Sequence, residues 1–127
     1  MVSLVLLALS SLCNAIMDVT SHHFHDSIFS LIEDKKVRRW FRATDSWKLK
    51  YEWYEGQIMG RKKWKGIRIP VQITDAWHFF KMLMIVFICL AIALYEPIVG
   101  IEYDWIIYGV IWNLSFSFNY NFTFKIQ

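Results

Sequence analysis

The hydrophobic and polar positions divide the chain into three apolar stretches and one long polar region. The clearest stretch runs from Ala76 to Tyr95, and its only strongly polar members, His78 and Lys81, lie in its first two turns. A helix of this length spans about 30 Å, the thickness of the hydrocarbon core of a bilayer. The pattern therefore predicts a transmembrane helix over residues 75–95.

Local signals indicate where this helix begins and ends. Thr74 is a candidate N-cap, because a hydroxyl can accept a hydrogen bond from an unpaired amide in the first turn. Asp75 would then lie near the positive end of the helix dipole. Pro97 follows the apolar stretch and predicts that the helix has ended before it.

The other two stretches complete a three-helix pattern. One begins near Trp105 and predicts a span over residues 105–122, after a short acidic connection. The other predicts a span over residues 2–24. A cleaved secretory signal is the alternative for this stretch, but no Lys or Arg precedes it and the residues around Cys13 form a poor cleavage site. We therefore expect an uncleaved helix.

The C-terminal tail alternates polar and aromatic residues from Asn113 to Lys125. This period is typical of a strand, but the same residues can form the frayed end of the last span. The pattern leaves both structures open.

The polar region, a loop of residues 31–72, is strongly basic. It holds twelve of the 14 basic residues and five of the 11 acidic ones, a formal charge of +7. The positive-inside rule predicts that this loop and the C-terminus are cytoplasmic and that the N-terminus lies outside. Because 56% of the chain is hydrophobic, composition disfavours an ordinary soluble domain and excludes a disordered chain. We predict an all-α integral membrane protein with three transmembrane helices and a basic cytoplasmic loop.

Ionisable groups gather at one predicted membrane depth. Asp18, His22 and His25 are spaced so that they share one face of a helix. Asp75 and His78 lie at the start of the second span. Because the first helix runs inward and the second runs outward, we expect both sets to approach the same cytoplasmic interface.

Two carboxylates with two or three imidazoles suit a Zn²⁺, Mn²⁺ or Fe²⁺ ion that keeps an open position for water. The predicted ligands of this divalent metal are Asp18, His22, Asp75 and His78. His25 is a further ligand or a base, and Asp26 is an acceptor that orients a ligand imidazole. The alternative is structural, with Asp18 paired to Lys81 or to a histidine.

The loop also mixes its cations with Trp and Tyr side chains. This mixture is typical of segments that contact anionic lipid head groups at the membrane surface, and some of the cations can anchor a phosphate. The predicted lipid- or phosphate-binding residues are Lys48, Lys50, Arg61, Lys62, Lys63 and Lys81. No nucleic-acid-binding motif accompanies the charge, so membrane lipids are the expected partners and nucleic acid is not.

Two strings carry a resemblance to a known family. With S-W-K-L-K-Y at residues 46–51 and T-D-A-W-H-F-F-K at residues 74–81, the chain resembles an uncharacterised family of small multi-span membrane proteins from bacteria and their phages. The resemblance covers about residues 10–85. An Asn usually stands in that family where this chain has Leu49, which puts a role for this position in doubt. The resemblance implies the segment layout in a bacterial inner membrane and assigns no activity.

Three functional hypotheses follow. The first is a metal-dependent enzyme that hydrolyses or transfers a phosphate-containing lipid head group at the cytoplasmic face. The alternative is a non-enzymatic membrane scaffold, an assembly subunit or a phage protein that modifies the host envelope. The second alternative is an ion or proton pathway through Asp18, His22 and His78. Three spans enclose little interior, so we also expect a homo-oligomer.

Overall fold

The computed structural model describes residues 1–126 and is mostly helical. The helices are α1 (Val2–His22), α2 (Lys35–Phe41), α3 (Ala43–Ser46), α4 (Ala76–Ala93) and α5 (Ile101–Phe118). A π-helical segment, Asn119–Phe124, continues directly from α5. The sequence pattern of the tail, residues 113–125, is compatible with either a strand or a helix. In the structure the tail is helical over most of its length.

Helix α1 is the central element, because α4 and α5 both pack against it. Small side chains let the helices approach closely. Ser10 Oγ donates to the carbonyl oxygen of Met84 in α4 at 3.1 Å, and Ser11 Oγ donates to that of Trp112 in α5 at 2.9 Å. Both serines are fully buried. The first helix thus contacts both of the other long helices.

Two helices, α1 and α4, are long and apolar enough to cross a membrane by length and composition. The third predicted span forms α5, but α5 does not reach the same hydropathy. Its sequence includes two acidic residues in the first turn and polar residues such as Asn113 near its end. Three transmembrane helices therefore remain a prediction, whereas a helical protein with two candidate spans is established.

The basic loop contains β-strands, contrary to the predicted all-α fold. It contains four short strands, β1 (Tyr51–Tyr54), β2 (Gln57–Arg61), β3 (Lys63–Trp64) and β4 (Ile67–Arg68). Strand β1 pairs antiparallel with β2, and β3 pairs antiparallel with β4. The loop therefore folds into two successive β-hairpins, which we call the hairpin arm, residues 51–68.

An aromatic cluster joins the segment after α1 to the C-terminal tail. Phe29 stacks on Phe41 with ring centroids 4.5 Å apart and on Phe124 at 5.5 Å. The backbone supports the same contact, because the amide of Ile126 donates to the carbonyl oxygen of Asp26 at 2.7 Å. The tail is thereby held against the end of α1.

A single carboxylate organises the connection between α4 and α5. Asp104 lies in the first turn of α5, ahead of its apolar stretch, and is buried. It accepts a hydrogen bond from the Tyr95 hydroxyl at 2.7 Å. Its backbone donors are the amides of Ile98, Val99 and Gly100, at 2.9, 3.1 and 3.4 Å. The Tyr95 hydrogen bond, and then the amides, lower the pKa of Asp104 to about 2.

We expect Asp104→Ala to lower the unfolding temperature in detergent by several degrees at neutral pH. Glu102→Ala removes the same charge from the same turn, but the Glu102 side chain is exposed, so it should have little effect. The ordinary pKa of an Asp is 3.8, so the stabilisation by Asp104 is present above that pH and is lost as the pH falls towards about 2. The difference in unfolding temperature between wild type and Asp104→Ala should therefore become smaller as the pH falls from 3.8 to about 2. Equal unfolding temperatures for Asp104→Ala and Glu102→Ala at neutral pH would contradict this role of Asp104.

Candidate functional site

The two hairpins of the arm share one turn chemistry. The first turns at Glu55 and Gly56, with φ of 47° and 81°, and the second at Lys65 and Gly66, with φ of 49° and 83°. Positive φ at both central residues is the type I′ geometry, which matches the twist of the flanking strands. Each turn needs its second residue to be Gly, or another residue that tolerates the left-handed region, so these dipeptides determine where the strands reverse.

Each hairpin carries a Trp opposite an Ile near its turn, in the second pair from the turn in the first hairpin and in the first pair in the second. Trp53 faces Ile58 across the first hairpin, and Trp64 faces Ile67 across the second. All four side chains are exposed. Cross-strand neighbours lie on the same face of a hairpin, so each pair forms one continuous apolar surface. The arm therefore presents two exposed Trp–Ile surfaces. Trp53 also contacts the segment before the arm, where its Nε1 donates to the carbonyl oxygen of Lys48 at 3.0 Å, and it is less exposed than Trp64.

The predicted lipid-binding cations differ in their surroundings. Lys48 Nζ lies 3.9 Å from an Asp45 carboxylate oxygen, and Lys50 Nζ lies 5.6 Å from the centre of the Tyr51 ring. Lys81 is in α4, with its Nζ 4.5 Å from the centre of the Trp77 ring. The other three predicted cations, Arg61, Lys62 and Lys63, are consecutive at the junction of the two hairpins. Arg68, which follows Ile67 in β4, belongs to the same part of the arm and is not among the predicted residues.

The arm leaves and re-enters the helical body where α1 ends and α4 begins. Helix α3, shortly before the arm, contacts both α1 and α4. Trp40 Nε1 donates to the carbonyl oxygen of Ile73 at 3.2 Å, which ties the segment after the arm to the segment before it. The arm therefore extends from one end of the helix bundle.

Asp75 and His78 form a close pair at the start of α4. Asp75 is the N-cap, one residue after the predicted Thr74, and its carboxylate accepts from the backbone amide of His78 at 3.0 Å. Both carboxylate oxygens lie 2.8 Å from His78 Nδ1. Asp75 is buried, whereas His78 is about one-third exposed, with a side-chain accessibility of 32%. The carboxylate thus fixes the orientation of the imidazole.

Asp18 and His22 also pair, with 3.8 Å between a carboxylate oxygen and Nε2. The prediction that His25 shares this helical face is wrong. Helix α1 ends at His22, and His25 and Asp26 belong to a separate 3₁₀ turn, Phe24–Asp26. Both residues are exposed there, and the side chain of His25 lies against Phe24 with ring centroids 5.9 Å apart. The spacing of seven residues therefore does not align His25 with Asp18.

Over residues 1–126, no group of three or more His, Cys, Asp and Glu side chains is close enough to hold a metal ion. The predicted ligands occur as two separate pairs in that part of the chain, Asp18 with His22 and Asp75 with His78. A divalent metal cofactor, and a catalytic role for His25 and Asp26, stay predictions.

Arg68 and the two Trp–Ile surfaces are not among the features that the sequence predicted. The available signal was a Gly at the second position of each turn, in Glu55-Gly56 and Lys65-Gly66, with a Trp before and an Ile after each dipeptide, a pattern compatible with two-residue hairpin turns. The resemblance to bacterial and phage membrane proteins also stays a prediction. Comparisons of the chain with protein-family models, with curated proteins and with solved structures give no match.

Proposed function

We propose that this chain is a small integral membrane protein whose hairpin arm binds anionic lipid head groups at the cytoplasmic surface. The observation that carries the proposal is the pair of exposed Trp–Ile surfaces set among cations. Between residues 51 and 68 there are five basic and two acidic residues. Trp at the membrane interface combined with Lys and Arg is the composition that anionic membranes attract.

The exposed surface of α4 supports a membrane location. Only 11% of its most apolar window is buried inside the protein. Large apolar side chains such as Ile85, Leu90 and Ile92 are exposed along this helix. A surface of this kind is stable in contact with lipid chains and unfavourable in water. If the helices lie in the hydrocarbon region, the arm, which extends from the end of the bundle, would lie at the depth of the lipid head groups.

The positive-inside rule supports the orientation. The arm and the rest of the basic loop extend from the end of the bundle where α1 ends and α4 begins. The opposite end carries the acidic connection, with Glu96 and Glu102 exposed. This asymmetry of charge favours a cytoplasmic arm. Each cation near an anionic surface contributes about 1 kcal/mol to attraction.

Protection from trypsin tests the proposal, because the arm contains its own cleavage sites at Arg61, Lys62 and Lys63. The protein is placed in nanodiscs of phosphatidylcholine alone or of an equal mixture with phosphatidylglycerol, and cleavage at these sites is followed by mass spectrometry. We expect cleavage to be about tenfold slower with phosphatidylglycerol, because arm cations would bind the anionic surface. High salt should reduce the protection.

A matched pair of Trp variants tests whether the Trp–Ile surfaces contribute to membrane binding by the arm. Trp64 is 69% exposed in the arm, and Trp105 is 70% exposed at the other end of the bundle. Trp64→Ala combined with Ile67→Ala should lose most of the protection, whereas Trp105→Ala should keep it. Equal cleavage rates in the two kinds of nanodisc, or full protection of the double variant, would overturn the proposal.

A further inference from the structure

The two hairpins meet at a single residue and enclose a cleft there. The backbone amide of Lys62 donates to the carbonyl oxygen of Lys50 at 3.0 Å, and the carbonyl oxygen of Lys62 accepts from the amide of Ile69 at 3.1 Å. Lys62 therefore bonds to the residue just before the first strand of one hairpin and to the residue just after the last strand of the other. A cleft of about 520 Å³ lies at this junction.

Three cations line the cleft. Arg61 and Lys63 flank Lys62, and side chains two residues apart in an extended chain point to the same side. Lys62 does not line the cleft, as expected for the residue between them. Arg68 is the cross-strand partner of Lys63 and completes the set. Among residues 1–126, these three cations form no ion pair with a carboxylate.

The remaining walls give the cleft a defined charge and an apolar side. Glu52 is the acidic residue in the lining, so the formal charge of the cleft is +2. Tyr51 and Met59 contribute aromatic and thioether surface beside the cations. Volumes between about 300 and 1,000 Å³ are typical of sites for small ligands. The cleft therefore fits a small dianion that also carries an apolar part.

We infer that this cleft binds a phosphate monoester. Two arginines can each donate parallel hydrogen bonds to phosphate oxygens, and the lysine adds a point charge. A phosphate monoester carries about −1.5 to −2 charges at neutral pH, which the charge of the cleft balances, whereas a phosphodiester carries one. The inference rests on the proposed function for its location, because an arm at the membrane surface places the cleft at the depth of lipid phosphates. A lipid and a soluble ester both offer this phosphate group.

Titration of the full-length protein in detergent tests the inference. The probes are dihexanoyl phosphatidic acid, a lipid with a terminal phosphate, dihexanoyl phosphatidylglycerol, which has only a phosphodiester, and glycerol 3-phosphate. We expect phosphatidic acid to bind about tenfold more tightly than phosphatidylglycerol, because only the monoester uses both arginines fully. If glycerol 3-phosphate binds as tightly as phosphatidic acid, the source is a soluble ester. If it binds more weakly, the source is a lipid.

Variants within one strand segment provide the control. Arg61→Gln and Arg68→Gln should each weaken binding of phosphatidic acid about tenfold by removing a charged fork. Lys62→Gln makes the same change in charge on the opposite side of the chain and should leave the affinity within about twofold. Equal affinity for phosphatidic acid and phosphatidylglycerol, or equal losses in all three variants, would overturn the inference. Trypsin protection by phosphatidylglycerol would persist in that case, so failure of the cleft is distinguishable from failure of the proposed function.

Discussion

Replacing Phe124 by Ala is expected to lower the free energy of unfolding by about 3 to 5 kcal/mol, the usual cost of truncating a buried Phe. Phe124 is 7% exposed although it lies near the end of the chain. Its ring stacks on Phe29, and both belong to the buried cluster that includes Val19 of α1. The variant would leave a cavity between the tail and the end of α1.

The neighbouring Phe122 provides a matched control. It lies in the same π-helical segment, Asn119–Phe124, but is 67% exposed. Phe122→Ala removes the same atoms without opening a cavity, so its effect should stay within about 0.5 kcal/mol. Both variants are compared by chemical unfolding in detergent micelles. A similar loss of stability in both would show that the tail does not dock through Phe124.

The positions of the long helices could be predicted because hydropathy over about twenty residues is a local property. The prediction for residues 75–95 differs from helix Ala76–Ala93 by only a few residues at its ends. The central position of α1 could not be obtained in this way, since it depends on contacts between helices. In retrospect, the signal was the set of serines in an otherwise apolar stretch, because each buried serine bonds to a backbone or side chain of another helix.

The hairpin arm illustrates a different limit. The composition of the loop indicates that aromatic and basic residues are mixed there, but composition does not determine which of them share a face. That depends on strand register, and register is set here by the turns at Gly56 and Gly66. Arg61, Lys62 and Lys63 were predicted as one cluster, whereas the alternation of an extended chain separates Lys62 from the other two.

The predicted metal site depended on helical spacing continuing past the end of a helix. Asp18 and His22 are one turn apart within α1, and they pair. His25 lies beyond the end of α1, and no Gly or Pro near His23 signals the end of the helix. The burial of Phe24 and Phe29 determines the path of the chain there, which is a tertiary effect that a periodic pattern does not contain.

Ser10→Leu is expected to destabilise the bundle by about 1 to 3 kcal/mol, because a large side chain would be forced into a close helix contact. Ser10 is fully buried, and its hydroxyl reaches the carbonyl oxygen of Met84 in the neighbouring α4. Ser10→Ala removes the hydrogen bond but keeps the small volume, and a bond of this kind between membrane helices contributes about 0.6 kcal/mol on average. Ser10→Leu should therefore lose more free energy of unfolding through crowding than Ser10→Ala loses through the missing hydrogen bond.

Val5→Leu tests whether any larger residue in α1 has this effect. Val5 lies on the same helix but is exposed, so the substitution should change the free energy of unfolding by less than about 0.5 kcal/mol. Unfolding of the three variants is followed by circular dichroism in one detergent. The expected order of loss is Ser10→Leu, then Ser10→Ala, then Val5→Leu. If Ser10→Leu were as stable as Val5→Leu, α1 and α4 would not pack through Ser10, and α1 would lose its role as the helix on which the bundle is built.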